Sequence, residues 1–230
     1  MDYKTIYATQ AEAYERLVAR EDVAGNILAT LGDLRPLTSS TIIEFGAGTG
    51  RLTCLLAPLV KSIQAFDESA AMLAVARRKL QANDRVNWGT AVADHRVIPS
   101  PNNSADMVIE GWAFAHFVGW FPQSWPQEVG LALAEMERLL RPGGTIILLE
   151  TLGTGFTQPH APERLRPFYA WLETENHFQS TWIRTDYQFA DLAEAVALLN
   201  FFFGPEMAQQ AQTQSNTRFP ECTGIWWKTI

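Results

Sequence analysis

Positions 42–50, IIEFGAGTG, set one acid, Glu44, ahead of three glycines that alternate strictly at 46, 48 and 50. Glycine lets a backbone turn sharply and approach a ligand without a Cβ in the way. A helix starting there offers unpaired N–H groups to an anion. A phosphate-binding loop would follow its glycines with Lys and Ser/Thr, but Arg51 and Leu52 stand here. A dinucleotide fingerprint spaces its glycines G-x-G-x-x-G. A pyrophosphate is disfavoured beside Glu44, whereas a sulfonium or ammonium tolerates that carboxylate. Two further acids follow at strand ends. Asp67 can accept hydrogen bonds from both hydroxyls of a ribose, and Asp94 can meet an adenine amino group.

Each of these residues also has a plainer reading. Asp67 can cap the helix that begins near Ser69, Asp94 can serve a turn, and Glu44 can brace the loop. Glu110 ends another strand, where it is either functional or simply exposed. His116, in GWAFAHFVGWF, is the candidate to take a proton from a substrate oxygen or nitrogen; the alternative is a histidine packed under a lid. The surrounding Trp112, Phe114, Phe117, Trp120, Phe121 and Trp125 read as core and pocket wall rather than a cage for a cation. Cys54 reads as a buried structural thiol.

The elements needed to hold these residues alternate. Residues 9–31 predict one or two amphipathic helices with a break at Gly25. Strands are expected at 42–45, 61–66, 85–92, 105–110 and 145–150, with helices at 49–60, 69–81 and 125–140. That rhythm implies a mainly parallel sheet covered on both faces. Residues 151–180, rich in Gly, Pro, His and aromatics, predict a lid or insertion. A strand at 180–189, a helix at 191–203 and a terminal strand at 224–230 follow. No internal repeat or linker divides the chain, so one domain, 1–230, is expected.

Composition bounds the partners. The chain has 230 residues, a net charge of −7 and no basic run beyond Arg77-Arg78-Lys79, which argues against a nucleic-acid partner. The two cysteines, Cys54 and Cys222, are far apart and lack histidines at metal-ligand spacing, so neither a disulfide framework nor a metal site is expected. The first residues carry no apolar signal stretch, and no window suggests a membrane span. A cytoplasmic protein is the expectation.

Taken in order, EFGAGTG, FDESAAML, ADH, ADMVIEG and LLRPGGTIILLE resemble the class I S-adenosylmethionine-dependent methyltransferases over about residues 40–151. The chain looks most like the small-molecule branch, the ubiquinone/menaquinone type. The resemblance implies an α/β, Rossmann-like doubly wound sheet of seven strands in the order 3-2-1-4-5-7-6, strand 7 antiparallel. It further implies an N-terminal helical lid (1–40), a cofactor-binding core (41–151) and a substrate-side segment (152–230).

The same resemblance assigns roles. Gly46, Ala47, Gly48 and Gly50 would approach the methionine part of S-adenosylmethionine, with Glu44 orienting the loop. Asp67 and Glu68 would hold the ribose, Met72 the adenine face, and Asp94 and His95 the adenine edge. Glu110, Gly111 and Trp112 would line the methionyl end, and Tyr14 matches a lid tyrosine. The implied activity is transfer of a methyl group to a small, apolar or aromatic acceptor by in-line displacement. Three competing readings share the sheet: a nicotinamide-dependent oxidoreductase, a non-catalytic binding protein of the same fold, and a nucleic-acid or protein methyltransferase. For the last, the acidic charge disfavours the nucleic-acid acceptor and leaves the protein acceptor open.

Overall fold

The computed structural model describes residues 3–82 and 86–230. Three helices come first: α1 (Tyr3–Thr9), α2 (Ala11–Val18) and α3 (Asn26–Leu34). Strand and helix then alternate through β1 (Thr41–Phe45), α4 (Arg51–Leu56), β2 (Ser62–Asp67), α5 (Ala70–Gln81), β3 (Trp88–Val92) and β4 (Ala105–Gly111). After β4 come α6 (Ala115–Trp120), α7 (Trp125–Leu139), β5 (Leu140–Thr154), α8 (Arg166–Thr174), β6 (Gln179–Arg184) and β7 (Tyr187–Gln188). The chain ends with α9 (Leu192–Phe203), α10 (Pro205–Gln214), β8 (Arg218–Phe219) and β9 (Glu221–Thr229).

Seven strands form one sheet in the order β3-β2-β1-β4-β5-β9-β6. The first five are parallel, and β9 runs antiparallel to both its neighbours. This is the expected 3-2-1-4-5-7-6 order, with β9 as the seventh strand.

Period-two alternation sorts the strand residues into two cores. Ile42, Met107, Ile109, Ile147 and Leu149 face one side, with Leu52 and Leu56 of α4 and Ile27 and Leu31 of α3. Ile43, Phe45, Val108, Ile146 and Leu148 face the other, with Val129, Leu133 and Met136 of α7. The same parity aims Glu44 toward α4, where it accepts a hydrogen bond from Thr53 Oγ1 at 2.6 Å.

Several elements differ from the sequence reading. The first helix starts at Tyr3 rather than near residue 9. The helix expected at 49–60 is shorter, 51–56, because Gly50 is left-handed and the turn closes before Pro58. The strand expected at 85–92 is observed at 88–92, and Arg85 lies outside the described residues. The fifth strand is longer than 145–150, because Leu140 pairs with Ala105 and its far end pairs with Cys222 and Glu221. The 151–180 segment contains α8, and 180–189 splits into β6 and β7. The helix α10 was not expected.

Glu44 gives a pH prediction. Burial raises its carboxyl from the ordinary 4.5 to about 8. The folded chain therefore binds a proton that the unfolded chain releases, so stability is whole below about pH 4.5 and falls as pH climbs toward 8. Glu44→Gln is expected to flatten that fall, giving a higher Tm than the parent at pH 8 in a thermal melt series.

Candidate functional site

The carboxyl ends of β1, β2 and β4 meet where the strand order reverses, between β1 and β4. A cavity of about 720 Å³ opens there, within the range of small-molecule and cofactor sites. Gly46 and Gly48 line it from the loop after β1, Asp67 and Glu68 from the end of β2, and Met72 from α5. His95 and Gly111 close the inner wall, and Lys4, Tyr7 and Ala8 of α1 with Tyr14 of α2 close the outer one.

The glycine loop is shaped by its own backbone. Gly46, Gly48 and Gly50 have φ of 64°, 54° and 78°, a region that costs any residue with a Cβ. Asp67 ties the loop to the sheet. Its Oδ2 accepts from the Gly48 N–H at 2.8 Å and its Oδ1 from the Ser69 N–H at 2.7 Å. Ser69 itself caps α5 by accepting from the Met72 N–H. Burial pushes the Asp67 acid range upward. Each carboxylate oxygen keeps a second lone pair, so Asp67 can hold the loop and still accept from a ligand.

Four of the residues singled out by sequence stand behind this wall rather than on it. Glu44 is bound to Thr53, and Ala47 packs with Ala65 and Leu73. A Cβ at Gly50 would lie 2.9 Å from the Ala76 Cβ, so this glycine serves helix packing. Glu110 accepts from the backbone N–H groups of Ala113 and Phe114. Asp94, by contrast, is half-exposed and paired with Arg96 of the cavity wall, whose Nε donates to its Oδ1 at 2.8 Å.

Behind the cavity, Glu110 near the end of β4 and Glu150 within β5 are both buried. Burial raises Glu110 to about 8. Glu150 is raised well above the usual range, first by burial and then by the Glu110 charge. One consequence is that this pair retains a proton at neutral pH.

His116, on α6, accepts from or donates to the Tyr7 hydroxyl through Nε2 at 2.8 Å and stacks on Trp120 at 4.9 Å. Burial, with Arg164 nearby, lowers it to about 4, so it is a neutral imidazole at pH 7. His95 is likewise lowered to about 4 by burial and packs edge-on against Phe45 and Phe117.

A second, smaller cavity of about 110 Å³ adjoins the first. Tyr7, Tyr14, Trp112 and His116 line both and form the partition between them. Trp112 has φ of 57°, a strained conformation for a bulky residue and the kind of strain found at functional sites. Its ring is held under the Arg51 guanidinium at 3.7 Å, while Arg51 pairs with Glu21 at 2.7 Å. The sequence reading missed Arg51, Glu21 and Glu221 as site residues. No spacing signal marks them, because the turn after α2, the start of α4 and β9 meet only in the folded chain. Among the described residues no group of acids, histidines and cysteines could hold a metal ion, and no helix is long and apolar enough to cross a membrane.

Residues 43–148 match the family described as "Methyltransferase domain". The chain is 31% identical over 149 residues to a malonyl-(acyl-carrier protein) O-methyltransferase of Yersinia pestis, covering 65% of this chain. It spans about half (49%) of that relative's length. It is 30% identical to an uncharacterized methyltransferase of Geobacillus kaustophilus, covering 65% of this chain and 67% of that protein. Among solved structures, a SAM-dependent methyltransferase from Aquifex aeolicus superposes with a TM-score of 0.57 at 14% identity. That match covers 100% of this chain and 94% of the other, a likeness of fold.

Proposed function

Since the chain belongs to the class I S-adenosylmethionine-dependent methyltransferases, we propose that it moves a methyl group from that cofactor to a small-molecule acceptor by in-line displacement. The observation that carries this reading is the pair of adjoining cavities, one over the glycine loop and one beyond the Tyr7–Tyr14–Trp112–His116 partition. The residues of the larger cavity fit the cofactor. Gly48 leaves a cradle free of a Cβ, and Asp67 keeps lone pairs for ribose hydroxyls. Met72 and His95 offer apolar and aromatic surface for adenine. The cofactor supplies an electrophilic methyl on a sulfonium.

The chain contributes alignment and exclusion of water. Helices α1 and α2 lie across the larger cavity, fastened by the Ser69 Oγ hydrogen bond to the Tyr7 carbonyl at 2.7 Å. His116, neutral at pH 7 and held by Tyr7, is the residue placed to take a proton from the acceptor. His116→Gln is therefore expected to lower kcat by about 100-fold and leave S-adenosylhomocysteine affinity unchanged. In the parent, the rate should hold on the acid side until about pH 4, where the imidazole protonates. A variant that keeps its kcat removes His116 from the chemistry.

The deciding experiment is a transfer screen with methyl-labelled cofactor against a metabolite extract, with products identified by mass. Labelled small-molecule product is the expected result. Calorimetry showing NAD bound in preference to S-adenosylmethionine would overturn the reading.

A further inference from the structure

The geometry points to an acceptor that carries a basic nitrogen on an apolar frame, the nitrogen held by the carboxylates of Glu221 and Glu21 in the smaller cavity. This rests on the reading of that cavity as the acceptor site. Three acids line it, Glu21, Glu150 and Glu221, against one buried cation, Arg51. Arg164, the other cation on the wall, is exposed.

The acids are short of donors. Glu221 is 2% exposed, and its Oε1 accepts from Thr151 Oγ1 at 3.0 Å while its Oε2 has no hydrogen-bond partner. The Glu21 side chain is 3% exposed; its Oε2 is taken by Arg51 and its Oε1 makes no hydrogen bond, with the Tyr187 hydroxyl beside the carboxylate. Unpartnered buried carboxylate oxygens are costly, and the cost is relieved by a donor that brings positive charge. Burial and the neighbouring Glu21 raise Glu221 to about 8, so at neutral pH it holds a proton that a bound ammonium displaces, the response of an acid that lacks its own cation.

Arg51 does not fill this need. Its Nη1 pairs with Glu21 and its plane stacks on Trp112, while its Nη2 has no hydrogen-bond partner. An anionic acceptor would meet the free Nη2 of Arg51 and the exposed Arg164, but it would also lie against the unpartnered oxygens of Glu21 and Glu221. The remaining wall, including Tyr3, Tyr14, Tyr187, Phe202 and Phe203, is aromatic, which suits an apolar frame and attracts a cation over ring faces.

The test is calorimetric titration of the full chain, with and without saturating S-adenosylhomocysteine, using three probes of one shape. These are 2-phenylethylamine, 2-phenylethanol and 3-phenylpropionate. The amine is expected to bind at least about tenfold more tightly than the other two, the range of a charged hydrogen bond. Glu221→Gln should remove at least about tenfold of that amine affinity while S-adenosylhomocysteine affinity stays unchanged.

Equal binding of the three probes, tighter binding of the carboxylate, or full amine affinity in a folded Glu221→Gln protein would each overturn the inference. The parent chain tests the charge preference without any substitution. Cofactor binding with no amine preference sinks this inference alone. Amine binding that depends on Glu221 in a chain that does not take up S-adenosylhomocysteine sinks the methyltransferase reading alone.

Discussion

Replacing Asp67 by alanine is expected to lower the affinity for S-adenosylhomocysteine by at least about 100-fold, measured by calorimetry. Two effects add. A carboxylate that accepts from ribose hydroxyls contributes about 1.5–3 kcal/mol per charged hydrogen bond, and about 1.4 kcal/mol is tenfold in affinity. The second effect concerns the loop. Asp67 Oδ2 holds the Gly48 N–H and Oδ1 holds the Ser69 N–H, so alanine releases the turn from β2 and from the start of α5. Asp67→Asn keeps one acceptor oxygen and should fall between the two. An unchanged affinity in Asp67→Ala would show that the ribose is held elsewhere.

The second large effect separates the glycines. Gly46→Ala is expected to cost about 3 kcal/mol, from a left-handed backbone and an overpacked contact. A Cβ there would overlap the Ala113 Cβ and crowd His95 Cε1 at 3.3 Å. Neither neighbour can move away easily, because the Ala113 N–H is bound to Glu110 and His95 is packed among Phe45, Phe114 and Phe117. A loss of that size lowers Tm by about 6–12 °C in a chain of this length.

Gly48→Ala should behave differently. Its Cβ would meet only Met72 Cε at 3.5 Å, ordinary contact, so the stability loss is about 1 kcal/mol from φ alone. The added methyl would stand between two residues of the cavity wall, and cofactor affinity should fall by about tenfold or more. Thermal melts and calorimetry on the two variants check the contrast. Equal losses of Tm would contradict it.

The sheet was legible because its strands are short β-branched runs punctuated by Gly, Pro and helix formers. TIILLE and ADMVIEG bury both faces and need no distant partner to be read as strands. The glycine alternation with Glu44 ahead of it and Asp67 beyond marked the larger cavity for the same reason: these residues are near in sequence to the strand ends that carry them. Boundaries were less legible. The start of β5 at Leu140 depends on Ala105, and its far end on Cys222 and Glu221, pairings that no local pattern announces.

By itself, then, the sequence determined the parallel α/β sheet, its covered faces, the glycine turn and the acid at the end of β2. Local propensity and period-two burial act over a few residues, and that is all these features require. Only the tertiary structure decided which way each acid faces. Strand parity sends Glu44 under α4 to Thr53, the turn after β4 folds the Ala113 and Phe114 N–H groups onto Glu110, and Asp94 pairs with Arg96 of the cavity wall. The smaller cavity was likewise invisible in one dimension. Glu21, Arg51, Trp112 and Glu221 lie on four separate stretches of chain, and they become neighbours only when β9 inserts beside β5 and the N-terminal helices close over the sheet.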